Sequence, residues 1–133
     1  MKNIKLSKNL AHTWFIDIDG TILKHNGYID NKKDSLLIGV KNFFKQIPSK
    51  DKIILTTSRN KKSLLKTKKF LKKNNIRFDN IITNLPTGER IIINDIKPKK
   101  NLKTSISINV KRDMGLKKYK ITSWRNYYYW KLK

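Results

Sequence analysis

Apolar residues in this chain fall into short runs with two different periods. Thr13-Trp14-Phe15-Ile16-Asp17-Ile18 is rich in β-formers and predicts a buried strand over residues 13–18. Ile53-Ile54-Leu55-Thr56-Thr57, Ile81-Ile82-Thr83 and Ile91-Ile92-Ile93 predict a second, third and fourth strand, the fourth spanning residues 90–95. Alternation over residues 104–110, from Thr104 to Val110, predicts a fifth. Helical spacing lies between them. Leu36, Leu37, Val40, Phe43, Phe44 and Ile47 share one face of a helix that starts near the N-cap residues Asp34-Ser35 and stops at Pro48. Leu64, Leu65, Phe70 and Leu71 give an apolar side to a basic helix over residues 60–75, which Asn74-Asn75 closes. Asn26-Gly27 is a hairpin signal and predicts a small β-flap over the end of the first strand. Residues 2–12 read as a frayed lead-in or short edge element, and residues 112–116 as a turn. Strands alternating with helices predict an α/β fold: a Rossmann-like three-layer sandwich with a mainly parallel sheet.

Chemistry gathers at the predicted strand ends. Asp17 and Asp19 are two residues apart, and Gly20 marks the strand's end, so both acids fall where α/β sheets form their ligand crevice. Asp-Gly alone is an ordinary turn pair. Two close carboxylates without a counter-charge are costly to bury, and a divalent cation resolves that cost. The second strand ends in Thr56-Thr57-Ser58-Arg59, whose hydroxyls can donate to a phosphate oxygen or cap the following helix. The fourth ends in Asn94-Asp95, with Lys97 two residues on.

At these residues a family resemblance emerges. Phe-Ile-Asp-Ile-Asp-Gly-Thr-Ile, residues 15–22, resembles the first motif of the haloacid dehalogenase (HAD) superfamily, Asp-x-Asp-x-Thr after a hydrophobic strand. The resemblance implies Mg²⁺-dependent phosphoryl transfer through an aspartyl-phosphate. Asp17 is then the nucleophile and Asp19 the general acid and base, with Mg²⁺ held by Asp17, the backbone carbonyl of Asp19, and Asp95. Thr57 fits the second motif, with Thr56 as the competing alignment; Gly20, Thr21, His25, Ser58 and Arg59 are the remaining candidate substrate contacts. Backbone N–H groups after Asp17 would hold phosphate oxygens. Relatives often carry two acids at the fourth motif, where this chain has Asn94-Asp95. The third-motif lysine is assigned to Lys97, with Lys72 and Lys73 as rivals. Arg90 is placed at the wrong end of its predicted strand, about 16 Å from Asp95. Residues 13–116 also resemble small bacterial HAD phosphatases associated with capsular polysaccharide or sugar-phosphate metabolism, which implies a small phosphorylated substrate. No room for a cap domain follows the first strand, so the site should be open or covered by a second copy.

Composition narrows this picture. The 133 residues suit one domain, with a core over residues 13–116 and an aromatic, basic segment over 117–133 that packs as a last strand or helix or serves as a stacking platform. No apolar run nears the ~20 residues needed to span a bilayer. The N-terminal residues lack an apolar secretory core, and cysteine is absent, so a cytoplasmic protein without membrane association is expected. Lys and Arg number 32 against 9 acids, a formal charge of +23, and this field attracts anionic substrates. Only Arg59, Arg77, Arg90, Arg112 and Arg125 are arginine. Abundant Lys, Ile and Asn fit compositional bias better than a dedicated nucleic-acid surface, which would favour arginine. Two other readings stand beside the main one: a phosphatase of nucleic-acid ends, and a non-catalytic basic module on a HAD core.

Overall fold

Two parallel ladders carry most of the chain's strands, in a mixed α/β arrangement. The computed structural model describes residues 1–30, 33–98 and 101–124. Strand β1 (Lys2–Ser7) pairs with the far end of the chain, β7 (Tyr119–Trp124), in parallel. Strands β2 (Thr13–Asp17), β3 (Lys52–Thr56) and β4 (Asn80–Ile82) form a second sheet in that order, all parallel. A two-strand antiparallel ladder, β5 (Ile96–Lys97) and β6 (Leu102–Lys103), stands apart.

Helix α2 (Val40–Gln46) follows β2 and helix α3 (Leu64–Lys73) follows β3, so each crossover returns the chain to a parallel neighbour. Val40, Phe43, Phe44 and Ile47 from the first crossover meet Ile16, Ile18, Ile53 and Leu55 from the sheet in one core with Ile4 and Leu6 of β1. Phe43 meets the edge of Trp14, ring centroids 5.8 Å apart.

The base of the β2–β3 pair is tied by polar groups. Asp51, buried just before β3, accepts from the backbone N–H of His12, from the His12 ring and from the Trp14 indole, all at 2.9–3.0 Å. Lys52 N–H donates to the His12 carbonyl at 2.9 Å. At the other end of the His12 ring, Nε2 lies 2.9 Å from the Ser7 carbonyl.

Several expectations change. Of the two readings of residues 2–12, the short edge element holds and the frayed lead-in does not: residues 2–7 are a paired strand with Ile4 and Leu6 buried, because β7 supplies the partner. Residues 119–124 form the last strand that was one reading of the C-terminal segment, with Tyr119 and Ile121 packed against the core; Tyr127, Tyr128, Tyr129 and Trp130 lie outside the described residues. No hairpin forms at Asn26-Gly27: Asn26 takes φ 56° and leads into a one-turn helix, α1 (Gly27–Asp30). The next helix begins at Val40, not at Asp34. Gly39 sits at φ 79°, and a side chain there would meet the Lys117 backbone at 2.4 Å, so the chain turns sharply before the helix. Asp34 is drawn away to a salt bridge, and Leu36 bridges to Leu23. The predicted fourth and fifth strands do not form. Residues 90–95 and 104–110 are irregular, and Ile91 and Ile93 are 80% and 90% exposed.

Candidate active site

Strand β2 delivers Asp17 beside Thr56 of β3, and the ladder runs one bond further, Ile18 N–H to the Thr56 carbonyl at 3.1 Å. The chain then wraps around Ile18: the amides of Thr21, Ile22 and Leu23 all point to its carbonyl. Gly20 N–H donates to the Leu23 carbonyl at 2.7 Å. Gly20 adopts φ 84°, a conformation that favours glycine, and its missing Cβ leaves room for Arg112 and His25 on either side. This loop holds Asp17 and Asp19 at the C-terminal end of a parallel strand.

Each carboxylate has its own hydroxyl. Thr21 Oγ1 donates to Asp17 Oδ2 at 3.1 Å, and Thr57 Oγ1 donates to Asp19 Oδ2 at 3.1 Å. Thr57, not Thr56, therefore faces the acids; it lies one residue past the end of β3, is fully buried, and its oxygen also accepts from the Arg59 amide. Thr56 stays buried within the ladder and Ser58 is exposed.

Arg59 is the largest departure from expectation. It was read as a substrate contact, yet its side chain is 2% exposed and fully engaged inside the protein. Nε and Nη2 grip Asp19 at 2.7–3.1 Å, Nη1 and Nη2 grip Asp34 at 3.0 and 2.7 Å, and Nη1 also donates to Thr67. The guanidinium lies over the Tyr28 ring, 4.0 Å from its centroid. Burial alone would lower its pKa; the hydrogen bonds it donates to Asp34 and Asp19 outweigh that and raise it. Arg59 thus clips together the loop after β2, the segment around Tyr28 and Asp34, and helix α3.

The electrostatics at Asp17 are different. Burial pushes its carboxyl up, the Thr21 hydrogen bond opposes this, the Asp19 charge pushes it further up, and the Arg90 charge draws it down. Arg90 therefore lies within electrostatic reach of Asp17. The strand-length estimate that set it aside fails because residues 90–95 are not a strand; Arg90 instead donates to the Pro86 and Gly88 carbonyls in a loop.

Among the described residues, no hydrogen bond or ion pair joins Asp95 or Lys97 to this site. Asp95 is exposed in the irregular segment before β5, and Lys97 faces Leu102 across the small β5–β6 ladder. Among the described residues, no three acidic or imidazole side chains converge as a metal site. Of the amides after Asp17, those of Gly20, Thr21, Ile22 and Leu23 are spent on backbone carbonyls, while the Asp19 amide has no hydrogen-bond partner among the described residues. His25 remains at the site: its Cβ is 3.8 Å from the place a Gly20 Cβ would occupy.

Sequence reasoning missed Arg112 and Asp113. Asp113 N–H donates to the Gly20 carbonyl at 2.9 Å, and its carboxylate accepts from the His25 amide at 2.7 Å. The only signal was an Arg-Asp pair ahead of a glycine, which reads as a turn. Among the described residues, no helix is long and apolar enough to cross a membrane. Compared with known proteins, the chain matches no family model, no curated protein and no solved structure.

Proposed function

We propose that this chain is a Mg²⁺-dependent phosphomonoester hydrolase of the HAD type, acting on a small phosphorylated metabolite such as a sugar phosphate. One observation carries the reading: two carboxylates, two residues apart at the C-terminal end of a parallel strand, each held by a separate threonine hydroxyl. The sheet order β2–β3–β4 with helical crossovers is compatible with a Rossmann-like HAD core.

A divalent cation fits the donors present. Asp17 is a half-buried carboxylate whose ionisation is opposed by burial and by the charge of Asp19, and a cation would relieve both. Mg²⁺ commonly takes one or two carboxylates, several waters and a substrate phosphate, so it does not require a closed protein cage. Asp17 and the Asp19 carbonyl would hold it, and it would offset the repulsion between carboxylate and phosphate.

In this reading an Asp17 oxygen attacks phosphorus, the ester P–O bond breaks, and the leaving alkoxide takes a proton from Asp19. Asp19 then removes a proton from a water that attacks the aspartyl-phosphate, which releases phosphate and restores Asp17. Arg59 and Thr57 fix where the Asp19 carboxylate points in both half-reactions.

The test is phosphate release from a panel of sugar phosphates, nucleotides and end-phosphorylated oligonucleotides, with Mg²⁺ and with chelator. Metal-dependent turnover of a small phosphoester is expected, and Asp17→Asn should lower it by roughly a thousandfold or more with the fold intact by circular dichroism. Turnover surviving in that variant removes Asp17 as nucleophile. A preference for oligonucleotides that falls steeply with salt would transfer the function to nucleic-acid ends.

A further inference from the structure

The phosphatase reading leaves one question of chemistry open: which groups receive a substrate's charges. Several inner donors are committed. Thr21 and Thr57 spend their hydroxyl protons on Asp17 and Asp19, Arg59 is saturated by two carboxylates, and the loop amides from Gly20 to Leu23 serve the backbone. Two arginines remain near the loop, in different places. Arg90 has its charge felt at Asp17, the reacting end. Arg112 lies against Gly20, with Cγ 3.1 Å and Nε 3.8 Å from the position a Cβ would take there. Its side chain is exposed, and among the described residues it makes no hydrogen bond or ion pair.

Arg112 is not a loosely placed surface cation. The turn that carries it is pinned to the site on two sides by Asp113, through the Gly20 carbonyl and the His25 amide. It is pinned again by Leu116, whose N–H donates to the Ile38 carbonyl at 2.9 Å. A guanidinium held this way at an open mouth suits a planar or tetrahedral anion, which it can meet with paired donors.

We propose that Arg112 is a specificity-determining residue that receives a second anionic group, a carboxylate or a second phosphate, on a small phosphomonoester whose reacting phosphate lies at Asp17. The inference rests on the phosphatase reading, so its test is an equilibrium binding measurement that needs no turnover. Wild type, Arg112→Gln, Arg112→Lys and a charge-matched control, Lys111→Gln, are titrated by calorimetry with fructose 1,6-bisphosphate, 6-phosphogluconate and glucose 6-phosphate. Wild type should bind one of the two doubly charged probes more tightly than glucose 6-phosphate, and which one tells phosphate from carboxylate. Arg112→Gln should erase roughly tenfold of that preference, the worth of one charge-assisted pair, and Arg112→Lys should restore part of it. Lys111→Gln should keep the preference. Equal losses on all three probes would give Arg112 to the reacting phosphate or to the general field and overturn the proposal. No preference in wild type, or none lost in Arg112→Gln, would overturn it as well. Absence of phosphate release by wild type would sink the phosphatase reading separately, with the binding preference still measured.

Discussion

Two segments of this chain have nearly the same design in sequence and different fates in the fold. Residues 13–19 and 90–95 are each an apolar run that closes on an acid. The first becomes β2, pairs with β3 over five positions, and delivers Asp17 and Asp19 to a site crowded with partners. The second stays irregular, its isoleucines face outward, and Asp95 is exposed. Hydrophobic content does not separate them. What separates them is polar tethering: Asp51 grips the base of the first run, and Arg59 and the two threonines grip its end. Among the described residues, the second run has side-chain hydrogen bonds only at its two ends: Arg90 donates to its own loop, Asn94 donates to the Thr104 carbonyl, and the Asp95 carbonyl accepts from the Thr104 hydroxyl.

The strongest way to break this contrast is to remove the clip. Arg59→Met leaves Asp19 and Asp34 without their counter-charge, and should cost about 3–5 kcal/mol of unfolding free energy in urea. Adding Asp34→Asn should recover part of that loss, since one unpaired charge is then gone. A cost below ~1 kcal/mol for Arg59→Met would mean that the tether does not distinguish the two segments. Next in size is the core itself. Leu55→Ala in β3, at a fully buried position, should cost about 2–5 kcal/mol.

A smaller effect concerns Asp17. Its carboxyl holds a proton more tightly in the fold than in the unfolded chain, so ionisation opposes folding, and stability present in acid is lost as pH rises through the folded-state pKa. Asp17→Asn carries no charge at any pH. In chelator at pH 7 it should therefore melt above wild type, and the gap should close below about pH 4. A variant that melts below wild type at pH 7 would contradict the direction given for Asp17. The smallest effect is at the other segment: Ile93→Ala, at a position 90% exposed, should change stability by no more than about 0.5 kcal/mol. A loss of ~2 kcal/mol would show that this run is buried like the first.

The contrast also explains what could be read from the sequence. The core of β2, β3 and α2 was legible, because Ile16, Ile18, Ile53, Leu55, Val40, Phe43 and Phe44 lie at the right period and find partners close in the chain. The start of α2 was not, because the capping residue Asp34 had a stronger use 25 residues on, at Arg59. The pairing of β1 with β7 joins residues more than a hundred positions apart, and no local pattern in a lysine-rich lead-in announces it. At the site, the pairing of Asp17 and Asp19 at a strand end was legible from spacing, while Thr57 over Thr56 followed only from the resemblance to the family's second motif. Arg59 was visible as a residue but not in its role, since nothing local says whether a guanidinium turns inward to carboxylates or outward to substrate. Asp113 reaches His25 across 88 residues of chain, beyond any motif.

The grip of Asp51 on His12 and Trp14 has a consequence at the opposite end of the sheet. Side chains in a strand alternate, so a slip of β2 by a single residue along β3 would exchange its two faces. Phe15 would turn inward, Ile16 would turn to solvent, Asp17 would change faces, and Asp19 would lose its place between Thr57 and Arg59. Asp51 holds the His12 amide and ring and the Trp14 indole, and Lys52 holds the His12 carbonyl, so β2 has one place to sit. An acid at the base of the sheet thereby decides which way Asp17 and Asp19 face at its other end.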